Sequence, residues 1–380
     1  MKRMKLTQSL GTWIAMAAML AACAICLPAH GSPYNYITKP DAPLPEQATL
    51  RIGTIGYHDG ALSRTNAAVS PDFKFVLIEQ PDGKGRKQWE LWNLETQEKK
   101  IISNQLSDYG EEEELKETLL PMTKNPDKID RSFRLAKMSL MGFSSDGRHF
   151  YAKCDYGFEL CSFVKLDLAK KELVEAYGDG AGTTRTVSFS ADRKRAAINS
   201  HGRETKVHVW DLEKGVKLWT APQMRNGTAF SPDGRFAICG GEPMDALSLR
   251  DMETGEKLWE TPQNDKVYRA EGMAFHPDSQ HVLVPGEVLS MREVKTGKKI
   301  MSFPTEAGRC ISVAYSPDGT EFLSGHENGI ICHWNTGTGK ILRTFKGHER
   351  YVHDLVYDKD GSQFISMAGD GTAMVWKLPK

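Results

Sequence analysis

One short phrase returns seven times along this chain: an apolar or aromatic residue, a small residue, then Pro, Asp and Gly, or close variants of them. Its copies are Val69-Ser-Pro-Asp72, Phe143-Ser-Ser-Asp-Gly147, Phe189-Ser-Ala-Asp192, Phe230-Ser-Pro-Asp-Gly234, Phe275-His-Pro-Asp278, Tyr315-Ser-Pro-Asp-Gly319 and Tyr357-Asp-Lys-Asp-Gly361. The Asp column falls at 72, 146, 192, 233, 278, 318 and 360, with steps of 74, 46, 41, 45, 40 and 42 residues. A near-constant period of about forty residues means one supersecondary unit copied along the chain, too small to bury its own apolar face alone. Only the first step departs from that period.

Each unit carries a second phrase further on, seen best in Trp210-Asp-Leu-Glu-Lys-Gly215, with counterparts beginning at Trp92, Leu166, Arg250, Arg292, Trp334 and Trp376. Several run through Thr-Gly into another apolar stretch, such as Lys217-Leu-Trp219 or Lys257-Leu-Trp259. Over nearly all of residues 50–380 the chain therefore resembles the WD40 repeat family, on the strength of Val209-Trp-Asp211, Gly347-His348 and the Ser-Pro-Asp-Gly turns.

Elementary physics asks for the same architecture. Runs such as Phe236-Ala-Ile-Cys239, Glu321-Phe-Leu-Ser324 and Lys206-Val-His-Val-Trp210 are short, rich in β-branched and aromatic residues, and bounded by turn residues, so they are expected to be strands. Four strands per unit stack radially, and closure leaves only short protected edges. The expected fold is all-β: a seven-bladed β-propeller of four-stranded antiparallel blades over residues 49–380. The last unit stops at its third strand, Thr372-Ala-Met-Val-Trp376, while Leu50-Arg-Ile-Gly-Thr-Ile-Gly56 stands in the register of the fourth strand Leu342-Arg-Thr-Phe-Lys-Gly347. The N-terminal strand is thus expected to complete the last blade.

The resemblance also implies a buried hydrogen-bonded chain of His348, Ser366, Asp370 and Trp376 in the seventh unit. The sixth keeps Ser324, Asn328 and Trp334 but has Ala307 near the His position, and the fourth and fifth put Arg250 and Arg292 where Trp stands elsewhere. Those units are expected to rely more on apolar packing.

At the N-terminus, Lys2, Arg3 and Lys5 precede an apolar run from Leu10 to Leu27, and residues 1–31 have the form of an export signal. Two processing routes stay open: cleavage after Gly31, or lipidation at Cys23 in the lipobox-like Leu20-Ala-Ala-Cys23. Residues 32–48 form a Pro-rich linker. The expectation is an exported monomer, periplasmic or secreted, that touches a membrane only through an N-terminal lipid or signal anchor. Five cysteines remain in the propeller; Cys154 and Cys161 flank the Asp155-Tyr-Gly157 turn and either form a disulfide or stay thiols, as register decides.

The counts of 49 basic and 49 acidic residues cancel, giving no overall pull toward nucleic acid. Any charge signal is local. Shortly before each repeat's aromatic stand Arg64, Lys137, Arg185, Arg225, Arg269, Arg309 and Arg350, with Tyr268 and Tyr351 beside two of them. Seven cations at one structural level would form an anion-binding rim at one channel mouth. The long first step adds an acidic insertion at about residues 104–136 that carries Glu111 to Glu114, which is either a lid over that mouth or a solvated loop.

No catalytic constellation stands out. His348-Glu-Arg-Tyr-Val-His353 has its histidines five apart, the wrong spacing for a helical zinc pair, and no Gly-x-Ser-x-Gly elbow is present. Neither a metal nor a cofactor is nominated. The resemblance implies a non-enzymatic scaffold, and the basic column makes its expected partner an acidic protein or an anionic polymer. The alternative is a hydrolase or lyase acting on an acidic polysaccharide at the channel mouth.

Overall fold

The computed structural model describes residues 43–53, 67–81, 87–101, 138–154, 163–167, 172–177, 183–201, 206–222, 227–240, 246–262, 267 and 272–378, together with the backbone of 36–39 and 55–58. Seven four-stranded antiparallel sheets follow one another along the chain. Blade 1 consists of Ala67–Val69, Phe75–Pro81, Lys87–Asn93 and Lys99–Ile101, and blade 2 of Met138–Phe143, His149–Cys154, Phe163–Asp167 and Glu172–Tyr177. Thr183–Phe189, Arg195–His201, Lys206–Asp211 and Val216–Pro222 form blade 3, while Thr228–Phe230, Phe236–Gly240, Leu247–Asp251 and Lys257–Glu260 form blade 4. Blade 5 holds Ala274–Phe275, His281–Val284, Leu289–Glu293 and Lys299–Phe303, and blade 6 holds Cys310–Tyr315, Glu321–His326, Ile331–Asn335 and Ile341–Phe345. Blade 7 takes three strands from the C-terminus, Val352–Tyr357, Gln363–Ala368 and Ala373–Lys377, and its outer strand, Ala48–Ile52, from the N-terminal side.

The expected seven-bladed propeller with a latching N-terminal strand is the fold observed, though the latch is shorter than the sequence suggested. Strand pairing runs from Ala48 opposite Trp376 to Ile52 opposite Ala373. Gly53 then turns the chain with φ of 83°. Ile55–His58 instead pairs with Tyr36–Lys39, so the Pro-rich segment 32–48 contributes a strand to a separate two-stranded ribbon. The insertion at 104–136 and Cys23 lie outside the described residues.

First strands of successive blades lie side by side around the axis. Gly272 and Ser312 form a parallel bridge between blades 5 and 6, and Ser312 Oγ donates to Val352 O at 2.9 Å between blades 6 and 7. Because side chains alternate faces along a strand, each blade feeds two apolar layers. In blade 4, Ala237 and Cys239 pack toward blade 3 and Ile238 toward blade 5. In blade 7, Phe364 and Ala368 face blade 6 while Ile365 and Met367 face blade 1, where Ile52, Val69, Val76 and Ile78 meet them. This last layer, with Gln80 Nε2 donating to Gly371 O at 2.8 Å, closes the ring.

The repeated turn has one chemistry. In blades 1 to 4 and 6, the Ser hydroxyl (Ser70, Ser144, Ser190, Ser231, Ser316) donates to the Asp two residues on at 2.5–2.6 Å. The same oxygen accepts the amide five residues on, as Phe75 N does to Ser70 Oγ at 2.9 Å. Partial burial opposes ionisation of Asp146, but Ser144, the Arg148 amide and His149 outweigh it and hold the carboxyl down to about 2. The residue after each Asp is left-handed, and in three blades it is not glycine: Phe73 (φ 60°), Arg193 (58°) and Ser279 (60°). That conformation costs an L-residue roughly 1–2 kcal/mol. Each of the three reaches the preceding blade: Phe73 packs into the layer between blades 7 and 1, Arg193 Nη1 lies against Gly142 of blade 2, and Ser279 Oγ accepts Asp233 N at 3.1 Å.

Ile52 is fully buried in the closing layer. Ile52→Ala is expected to cost about 3 kcal/mol in urea unfolding. Removing residues 1–53 exposes the edge of Ala373–Lys377 and should give concentration-dependent association in gel filtration; a stable monomer would show that the latch is dispensable.

Candidate functional site

Two sets of loops define two ends of the ring. At one end, the turns between first and second strands bond to those between third and fourth: Leu94 N donates to Lys74 O, Met252 N to Arg235 O and Thr336 N to Thr320 O. At the other, the loops entering the first strands meet the turns between second and third strands, as in Glu327 N to Arg309 O at 3.0 Å and Gly369 N to Tyr351 O at 2.9 Å. The first is called the turn end and the second the entry end.

Blade 7 ties its entry loop through a buried polar chain. Trp376 Nε1 donates to Ser366 Oγ at 2.8 Å, the Ser366 hydroxyl donates to His348 Nε2 at 2.7 Å, and His348 Nδ1 bonds Asp370 Oδ2 at 3.0 Å. Burial of Asp370 would raise its pKa, but His348, the Glu349 amide and Thr372 overcome that and keep it lowered. The Glu349 amide bonds the same carboxylate at 2.9 Å, which fixes the backbone next to Arg350.

Blade 6 departs from the sequence-based expectation that it relies more on apolar packing. Trp334 Nε1 donates to Ser324 Oγ at 2.8 Å, and the hydroxyl passes on to His326 Nε2 at 2.8 Å, two residues along the same strand. His326 Nδ1 reaches Gly308 O at 2.8 Å, next to Arg309. The imidazole thus comes from the second strand instead of the entry loop, and it reaches the same backbone from the opposite side. Its signal in the sequence is Ser324-Gly-His326, a His that alternates onto the Ser324 face of the strand.

Blades 4 and 5 are likewise not merely apolar at their third strands. Arg250 Nη1 donates to Gly255 O at 2.8 Å and Arg292 Nη1 to Gly297 O at 3.0 Å. Over these turns lie rings from the preceding blades: Trp219 on Gly255 and Trp259 on Gly297, with the indole Nε1 atoms donating to Met252 O and Val294 O at 2.8 Å. Gly255 and Gly297 have φ of 74° and 71°, and a Cβ would stand 2.6 and 2.9 Å from the indoles.

Of the basic column, Arg309, Arg350 and Tyr351 are brought together at the entry end of blades 6 and 7. Arg309 carries a buried Nε without a partner among the described residues, and its amide approaches Glu327 Oε1 at 3.3 Å. Tyr351 lies with its ring against Gly369 and 6.1 Å from the His353 ring. Arg185 sits within strand Thr183–Phe189, with its side chain outside the described set; Arg64, Lys137, Arg225, Tyr268 and Arg269 lie outside the described residues. Cys154 ends strand His149–Cys154 and Cys161 is outside the description. Cys239, Cys310 and Cys332 are buried thiols, and burial pushes Cys239 up to about 11. Cys310 and Cys332 stand on the first and third strands of one sheet, so two strand spacings, about 9.5 Å, separate them, beyond the reach of a disulfide.

A family model described as WD domain, G-beta repeat, matches residues 297–335 and 339–377. These are the stretches that carry both Ser-relay tryptophans, Trp334 and Trp376. The chain is 24% identical to human pre-mRNA-processing factor 17 over 56% of its own length and 31% of that protein. It is 32% identical to ROOT INITIATION DEFECTIVE 3 of Arabidopsis thaliana over 24% of this chain and 21% of that one. With subunit I of eukaryotic translation initiation factor 3 from Xenopus laevis it shares 24% identity over 22% of this chain and 26% of that one. The last two units of the ring thus match as WD40 repeats. The chain spans about a third or less of the length of each of these relatives.

Removing the Ser366 hydroxyl strands the Trp376 indole and the His348 imidazole, both buried. Ser366→Ala should cost about 2–3 kcal/mol in urea unfolding, whereas a change within 0.5 kcal/mol would remove the relay's structural role. Desolvation is the main cause that lowers the His326 pKa below its ordinary 6.5. The folded state therefore prefers neutral His326, so its contribution is present above pH 6.5 and lost as pH falls below it. His326→Gln should show a smaller drop in Tm than wild type between pH 7.5 and 5.5.

Proposed function

We propose that this WD40 propeller is an exported, non-enzymatic docking platform that holds an acidic protein, or an anionic polymer of similar charge, on the basic rim of its entry end. The observation that carries the reading is the way the polar relays of blades 6 and 7 end on the loops of Arg309 and Arg350. Buried hydrogen-bonded chains rigidify what they hold, so two guanidinium-bearing loops are presented in fixed positions, with the Tyr351 ring beside them against Gly369. Five further cations of the same column, from Arg64 to Arg269, belong to the same level of the repeat. Together they would focus negative charge at the mouth of a chain whose net charge is zero. The WD40 relatives, among them a pre-mRNA-processing factor and a translation initiation factor subunit, favour protein binding over catalysis as the role of the scaffold.

Export rests on the basic and apolar character of residues 1–31. The mass of the mature N-terminus distinguishes cleavage after Gly31 from lipidation at Cys23.

Docking is tested with the double charge reversal Arg309→Glu and Arg350→Glu, measured against poly-L-glutamate at fixed salt. Both side chains are partly exposed, so folding should be preserved. Affinity is expected to fall at least tenfold, with a shallower salt dependence. Equal binding by both proteins would overturn the rim. Turnover of an acidic polysaccharide by the purified chain would instead favour the hydrolase or lyase reading.

A further inference from the structure

At the turn end, remote from the basic rim, blade 5 breaks the rule of the repeated turn. Five other blades place a serine at the head of this turn, and blade 5 places His276 there. Its Nδ1 stands 3.0 Å from Asp278 Oδ1. The other carboxylate oxygen, Oδ2, is 2.9 Å from Nδ1 of His281, five residues on from His276. The three groups offer ligand atoms that all lie within 4.8 Å of one another. Bonds of about 2.0 Å to a tetrahedral ion place neighbouring donors about 3.3 Å apart, so the two imidazole-to-carboxylate spacings need little adjustment.

The surroundings fix which nitrogen faces the carboxylate. Nε2 of His276 lies 3.2 Å from Gly319 O of blade 6, where it donates its proton. The ring meets Tyr315 edge-on at 4.9 Å, and Gly319, with φ of 74°, leaves no room for a side chain that would displace it. With the proton on Nε2, Nδ1 is an acceptor, and it takes the Asp278 amide at 3.1 Å, a bond that an ion would replace. A ligating imidazole that donates its other N–H to a backbone carbonyl is the usual outer-shell arrangement of metal sites. Asp278 is likewise held, its Oδ1 accepting Gln280 N at 2.7 Å. The side chains retain 19%, 31% and 34% exposure for His276, Asp278 and His281, so an ion has access and open positions for water.

Blade 2 provides an internal comparison. His149 Nδ1 faces Asp146 Oδ2 at 3.0 Å, as His281 faces Asp278, but the head of that turn is Ser144, which donates to Asp146 Oδ1 and leaves no second imidazole. The second histidine is what turns an ordinary carboxylate turn into a three-donor set.

We infer that His276, Asp278 and His281 bind a divalent transition-metal cation of the imidazole-preferring class, Zn²⁺, Ni²⁺, Cu²⁺ or Co²⁺, on the turn end of blade 5. Imidazole and carboxylate donors suit these ions, with affinity rising toward Cu²⁺. An ion there cross-links the head of the turn to the start of strand His281–Val284 and, through the His276 ring, stiffens the seam with blade 6. The site is independent of the docking reading, because it lies on the other end of the ring.

The test uses the full chain without a polyhistidine tag, stripped with chelator, then titrated with Zn²⁺ by calorimetry and with Co²⁺ by visible absorption. One equivalent should bind saturably, with a rise in Tm. His276→Ser restores the turn used by five other blades and should fold; His281→Gln is the second variant. Each is expected to weaken the ion by at least about 100-fold, since removing even an outer-shell partner costs 10–100-fold. The Tm measured in chelator should stay close to wild type. Absence of saturable binding at millimolar metal, or binding by both variants as strong as that of wild type, would overturn the site, the first outcome meaning that hydrogen bonds alone hold the turn.

Discussion

The apolar layers between neighbouring sheets are the constraint on which everything else in this ring depends. No blade owns a core: Ile238 serves one interface and Ala237 the next, although they are adjacent in one strand. A strand buried on both faces must be apolar at successive positions, which is why Phe236–Gly240 and Gln363–Ala368 look like buried strands and not like the alternating strands of a half-solvated sheet. The same fact makes closure obligatory. A terminal blade with a bare face would expose an entire layer, and it is the Ile52 and Ile365 layer that prevents this by meeting Val76 and Ile78 of blade 1.

Polar interactions decide where the loops sit once the layers have placed the sheets. The Ser-to-Asp bond is repeated in five blades because its two oxygens together accept the amides that follow the turn, and the left-handed residue after the Asp is tolerated even as Phe73 or Arg193 because each such side chain gains a contact on the preceding blade. These turns are local, and six residues suffice to build one. The relays differ in kind: Trp376, Ser366, His348 and Asp370 come from separate segments, so they form only when the whole blade has folded. They are also what connects the interior to the entry end.

Legibility in the sequence followed that division. The period, the strand character and the completion of blade 7 by an N-terminal strand were legible because each is local or repeats. The register of the latch was read too far along: Gly53 adopts a left-handed φ, and nothing in Leu50-Arg-Ile-Gly-Thr-Ile-Gly56 shows that glycine to be a turn and not a strand position. His326 escaped because the column where the family places its histidine holds Ala307, and the replacement sits nineteen residues later on another strand. His276, Asp278 and His281 escaped for the opposite reason, being so close together that they passed as one more copy of the turn. Arg250 and Arg292 looked like losses of an aromatic anchor, since the rings that cover their turns belong to other blades.

That last displacement carries a consequence for the two ends of the ring. In blades 4 and 5 the indole has moved from the third strand to the fourth strand of the blade before, and with it the anchor has moved from the interior to the turn end, where Trp219 and Trp259 clasp Met252 O and Val294 O. Blades 6 and 7 keep the indole on the third strand, and their anchors lead through Ser324 and Ser366 toward the entry end. One aromatic residue cannot brace both ends of a blade. Among the described residues, the sector from Arg309 to Tyr351 is therefore the part of the entry end that such relays brace, and on the docking reading it is there that a partner meets side chains whose ordering cost has already been met by folding.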